Sequence, residues 1–92
     1  MIKKALSYDK SSPFILDSLG FVYYREKKYA KALILFKTAL KKLGKSATVL
    51  KHTGMDYFML KKYKKALEYL EKSYKIKKTE EVKKYINILN HR

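Results

Sequence analysis

A pattern recurring every 34 residues constrains this chain more than any other feature: Leu16, Gly20, Tyr23, Tyr29, Ala32 and Leu33 return as Leu50, Gly54, Tyr57, Tyr63, Ala66 and Leu67. Residues 13–46 align on residues 47–80 without a gap and share ten identities. A period of this length belongs to stacked arrays, in which a unit cannot bury its apolar face alone and does so against its neighbours. A large catalytic cleft inside one core is not expected, because a chain of 92 residues buries only a modest share of its surface.

Each unit reads as a pair of helices. Ser12 before Pro13 and Ser46 before Ala47 are N-cap candidates, and proline suits the first helical position. From Pro13 to about Lys27 the residues Leu16, Leu19, Gly20 and Tyr23 share one stripe, while Phe14, Phe21, Val22 and Tyr24 spread onto others, so this helix makes contacts on two faces. A second stripe runs through Ala32, Leu33, Phe36, Ala39, Leu40 and Leu43 to Gly44, a C-terminal stop. Residues 47–61 and 63–77 repeat the hairpin, and Lys27-Lys28-Tyr29 and Lys61-Lys62-Tyr63 share its turn. No segment alternates as a strand would.

The phase also informs the flanks. Residues 80–92 form a different helix, with Thr79 as cap and Val82, Tyr85, Ile86 and Leu89 on one face, polar on the other, as suits the end of an array. Ile2, Ala5 and Leu6 fall 34 residues before Phe36, Ala39 and Leu40, so residues 1–10 read as the second helix of a preceding partial repeat. The expectation is a C-terminal piece of a longer array; the alternative is a complete small protein with a short N-terminal helix.

Leu16, Leu19-Gly20, Tyr23, Ala32, Phe36 and Ala39, followed by Leu50, Thr53-Gly54, Tyr57, Ala66, Leu70 and Ser73, resemble the tetratricopeptide repeat, whose unit reads W-x2-L-G-x2-Y, then A-x3-F, A and P. The departures are the missing tryptophan, Gly44 and Lys78 in place of proline, and Thr53 and Ser73 in the second unit. The resemblance implies an all-α superhelix of antiparallel hairpins, repeats at 13–46 and 47–79, and a capping helix at 80–92. Gly20 and Gly54 are expected to admit the paired helix, with Ala32 and Ala66 opposite; a glycine inside a helix costs about 1 kcal/mol against alanine and needs such a return. The stretch Phe14 to Tyr24 is also similar to units near the C-terminus of bacterial multi-repeat proteins, several of them exported or lipid-anchored.

In such arrays the first helices of successive units line a concave groove that takes a peptide or a partner helix. Carried onto this chain, the groove positions are Phe14, Asp17, Phe21, Tyr24 and Arg25, then Thr48, Lys51, Met55, Phe58 and Met59. That surface is apolar with basic side chains among it, which suits an apolar partner with acidic character. Some family members clamp a terminal carboxylate with lysine and asparagine; Asp17 and Phe21 stand at the matching positions, so that mode is not expected. The bland reading is that these side chains are core, or are covered by other units or a second copy.

Net charge +15 raises nucleic acid as an alternative partner through a lysine-rich outer face. Against it, Arg25 and Arg92 are the only arginines, and recognition of bases and phosphates favours the bidentate guanidinium. The charge is also evenly spread, 11 basic and 3 acidic residues in 1–46 and 12 and 5 in 47–92, as a solvated face requires. Self-association through Ile2, Ala5 and Leu6 is a further alternative.

Enzymatic chemistry finds no foothold. Without cysteine there is no disulfide framework, thiolate zinc site or thiol nucleophile, and the compartment stays open. His52 and His91 have no set of ligands in helical register large enough to complete a metal site, and the acidic residues are scattered. No cofactor is expected. No run reaches the roughly 18 to 20 apolar residues of a membrane span.

Overall fold

The computed structural model describes residues 12–91, and the reading of residues 1–10 as half of a repeat lies outside them. Those described residues form five helices and no strand: α1 (Pro13–Arg25), α2 (Tyr29–Leu43), α3 (Ala47–Met59), α4 (Tyr63–Ile76) and α5 (Glu80–Asn90). The helix starts follow the caps in the sequence. The Ser46 hydroxyl accepts from the Val49 N–H at 3.4 Å, and the Thr79 hydroxyl accepts from the Val82 N–H at 3.3 Å, with Glu80 and Glu81 favourably placed in the first turn of α5. Ser12 has the extended backbone of a cap, but its side chain makes no capping bond, so Pro13 with its preset φ opens α1.

Both first helices stop two residues before the lysine at which their stripes run out, and the shared turn is the cause. Lys27 and Lys61 adopt left-handed φ angles of 66° and 64°. Around each, two backbone bonds close the helix: Lys27 and Lys28 donate to the carbonyls of Tyr24 and Tyr23, and Lys61 and Lys62 to those of Phe58 and Tyr57. Nested bonds of this kind are the Schellman ending, a place where glycine is usual because a side chain on a left-handed residue costs about 1 to 2 kcal/mol. Gly44, with φ of 78°, ends α2 without that cost. Lys61→Gly is therefore expected to stabilise by about 0.5 kcal/mol, the steric relief exceeding the extra freedom glycine gives the unfolded chain. In thermal melts this is a gain of roughly 2 to 4 °C; an unchanged or lower midpoint would show that the lysine is unstrained there.

Two apolar clusters hold the helices together. Leu16, Ala32, Phe36 and Ala39 form the first with Val49, a residue of the next unit, so the units share a core. Tyr57, Ala66 and Leu70 form the second with Val82 of α5, and Tyr85, Ile86 and Leu89 pack around it. The glycines do bring helices close, but what they face is larger than expected. A Cβ on Gly20 would stand 2.8 Å from the ring of Phe36, and one on Gly54 would stand 2.6 Å from Leu70 Cγ and 3.2 Å from the Ala66 carbonyl oxygen. Bulk fits opposite glycine because the missing Cβ leaves room for a ring or a branched side chain.

The two departures in the second unit make hydrogen bonds. The Thr53 hydroxyl donates to the Val49 carbonyl at 2.7 Å, within α3. The Ser73 hydroxyl donates across to the Ala47 carbonyl at 2.8 Å and ties α4 to the first residue of α3. Each thereby satisfies a polar group that burial would otherwise penalise.

Equivalent faces of α1 and α3 have opposite fates. Val49, Thr53 and Asp56 are 2%, 0% and 0% exposed, whereas Ile15, Leu19 and Val22, 34 residues earlier, are 46%, 41% and 50% exposed. On α3 that face lies under α2, whose Ala39 and Phe36 share a cluster with Val49. The same face of α1 stays open among the described residues.

Candidate functional site

The first helices of the units stand side by side, joined by polar and aromatic contacts. Between α1 and α3, His52 Nδ1 lies 2.9 Å from Asp17 Oδ1, and the His52 ring rests 4.8 Å from that of Phe21. Between α3 and α5, Lys51 Nζ donates to Glu81 Oε1 at 3.0 Å, and Phe58 meets Tyr85 edge-on at 5.4 Å. Phe21 also stacks on Tyr24 at 5.6 Å, Tyr24 meets Tyr29, and Phe58 meets Tyr63. These rings form two aromatic groups, one between α1 and α3 and one between α3 and α5, and a Tyr24–Tyr85 hydrogen bond links them into a seam along the α1–α3–α5 face.

The seam divides the ten groove positions. Phe14, Arg25, Thr48 and Met59 are exposed, Phe14 by 69% and Met59 by 42%. Phe21, Tyr24 and Phe58 are half-buried: one edge packs within the protein and the other remains open. Asp17 and Lys51 are half-buried too, held by His52 and Glu81. Met55 is only 8% exposed, since α3 has neighbours on both sides, and little of its side chain can reach a partner.

Sequence reasoning confined to one helix missed the Asp17–His52 pair, whose members come from different units. It also passed over Asp56. This carboxylate is fully buried on α3, and neither oxygen has a hydrogen-bond partner. Burial pushes its carboxyl from the ordinary 3.8 up to about 7. Burial also leads the causes that push the neighbouring Tyr24 hydroxyl up to about 12, followed by Tyr85, Tyr29 and Asp56 and a hydrogen bond with Tyr85. The available signal was phase: Asp56 stands where the first unit has the apolar Val22.

Among the described residues no cluster of three His, Asp or Glu side chains is arranged to hold a metal, and no helix is long and apolar enough to cross a membrane. The face can bury apolar groups and offer the Arg25 charge. It does not assemble a nucleophile with a base.

Comparison with known proteins agrees with this geometry. Curated proteins give no match. Among solved structures, the N-terminal domain of stress-induced protein-1 (STI-1) from C. elegans superposes with a TM-score of 0.79 at 19% identity, covering 96% of this chain and 75% of that one. At that identity the likeness speaks for the fold. A tetratricopeptide repeat model matches residues 12–79, the span of both hairpins. On that match, and on two hairpins in 34-residue register whose first helices each set a glycine against the second, the chain belongs to the tetratricopeptide repeat family.

Proposed function

We propose that the chain is a protein-interaction module that takes a peptide or a partner helix against its α1–α3–α5 face. Tetratricopeptide repeats are in general modules for binding proteins, and the observation that supports this face is the exposure of Phe14 and Met59 beside half-buried Phe21, Tyr24 and Phe58. Large apolar side chains left open next to a rigid aromatic seam gain by excluding water against a partner. With Lys51 engaged by Glu81, Arg25 is the cation offered on this face, which favours an apolar segment carrying an acidic residue. Asp17 Oδ1 is taken up by His52 Nδ1 at 2.9 Å.

The test is selection of peptides from a random library on the immobilised protein, followed by affinity measurements on variants. Phe14→Ala with Met59→Ala is expected to weaken the selected peptides about 30-fold, because each truncation removes on the order of 1 kcal/mol of contact. Its melting temperature should stay near wild type, since both side chains are exposed. Ile34→Ala, which removes an equally exposed side chain from α2, is the control and should leave affinity intact. If the two variants bind alike, the α1–α3–α5 face is not the one used.

A further inference from the structure

We infer that the opposite side of the molecule carries a second docking site, between α2 and α4, for an acidic protein segment with one bulky apolar anchor. A groove of about 590 Å³ opens there, rimmed by Lys37, Lys41, Lys45, Lys72 and Lys75. Its floor is apolar, made by Leu40, Leu50, Tyr69 and Ile76, and no carboxylate lines it. Lysine makes up half of the ten lining residues, whereas the whole chain has 23 basic residues in 92. The rim is therefore about twice as basic as the chain. Lys72 is paired with Glu68 at 3.4 Å, but among the described residues Lys37, Lys41, Lys45 and Lys75 form no ion pair. Helix α2 contributes no carboxylate of its own.

The shape and chemistry select among anionic partners. A volume in the range of about 300 to 1,000 Å³ suits one compact group, here a Phe or Leu side chain, with flanking Asp or Glu on the lysines. Nucleic acid would use the groove's ring for base stacking, but Tyr69 stacks on Tyr57 at 5.4 Å, while Lys72 Nζ lies 5.2 Å from its ring centre. A lipid surface calls for apolar side chains that protrude beyond the charges. Ile76 is 48% exposed, but Leu40 and Tyr69 are half-buried and Leu50 is buried, so one apolar side chain rather than a protruding set is open here. What remains is a segment that brings its own apolar group down to the floor.

The experiment uses the full chain and a labelled glutamate-rich peptide containing one phenylalanine, read by fluorescence anisotropy. The peptide is expected to bind with a Kd near 10 μM, to lose about 10-fold when its phenylalanine is replaced by serine, and to weaken further as salt screens the rim. Lys41→Glu with Lys75→Glu should abolish binding. Lys41→Gln with Lys75→Gln, which cannot unfold the chain by repulsion, should weaken it about 10-fold. Phe14→Ala with Met59→Ala should leave it unchanged, which separates this site from the α1–α3–α5 face. Equal binding of the serine peptide would reduce the effect to diffuse charge attraction and overturn the proposal. So would full displacement of the peptide by single-stranded RNA or anionic vesicles that bind the Lys41 and Lys75 variants as well as wild type.

Discussion

Asp56→Ala is expected to melt about 10 °C above the wild type at pH 8 and within a few degrees of it at pH 4. The carboxyl is fully buried without a hydrogen-bond partner, and burial raises it from 3.8 to about 7. Below about pH 4 it is protonated in the folded and unfolded chains alike, and its charge penalises neither. Between pH 4 and 7 the unfolded chain releases this proton while the folded chain keeps it, so stability falls as pH rises. Above pH 7 the penalty is complete. Three pH units at 1.36 kcal/mol each make it on the order of 4 kcal/mol. Truncation to alanine returns about 1 kcal/mol of that in lost packing, leaving a gain of roughly 2 to 3 kcal/mol at alkaline pH. The measurement is the difference in melting temperature between variant and wild type across this range, which cancels the other carboxylates. A difference that stays flat from pH 4 to pH 8 would mean that the folded carboxyl titrates like an exposed one.

The second large effect is expected at the opposite hairpin wall. Gly54→Ala should destabilise by about 2 kcal/mol and lower the melting temperature by roughly 10 °C, even though alanine is the better helix former by about 1 kcal/mol. The new methyl would meet Leu70 Cγ at 2.6 Å, Cδ2 at 2.9 Å and the Ala66 carbonyl oxygen at 3.2 Å. Cγ is the branch point of a side chain with no exposure, and the carbonyl is backbone, so neither can swing aside. The helices α3 and α4 must separate. Leu70→Ala alone should cost about 3 kcal/mol, but the pair Gly54→Ala with Leu70→Ala should cost at least 1 kcal/mol less than the sum of the two. Additive losses would show that the strain lies elsewhere than at this contact.

The architecture was legible because its signals are local or periodic: apolar stripes, caps at Ser46 and Thr79, and two glycines at the same phase. Less legible was anything that depends on what crosses between units. The period pairs Asp17 with Lys51, but the residue it touches is His52, one position beyond. Gly20 pointed to a close approach, yet the ring that fills the space belongs to Phe36 rather than to a small residue opposite. At the candidate face, the ten positions were those the family resemblance implies when its groove is carried over in register, but register does not distinguish an edge helix from an inner one. Hence Phe21 on α1 keeps an open edge while Met55, its counterpart on α3, is buried. The left-handed turns were visible only as a repeated Lys-Lys-Tyr, since lysine gives no hint of a positive φ.

The unequal fates of the α1 and α3 faces also set an order of events in time. With each helix resting mainly on its sequence neighbours, the chain behaves as a short one-dimensional stack whose members open at different rates. Helices α3 and α4 are gripped on both sides, and α5 seals its end with Val82. Among the described residues the end helices α1 and α5 each rest chiefly on one neighbour, and α1 leaves Ile15, Leu19 and Val22 exposed. Transient opening therefore starts at the two ends of the stack rather than in its middle, so Phe14 and Phe21 on α1 and Tyr85 on α5 leave the aromatic seam before Phe58 on α3 does.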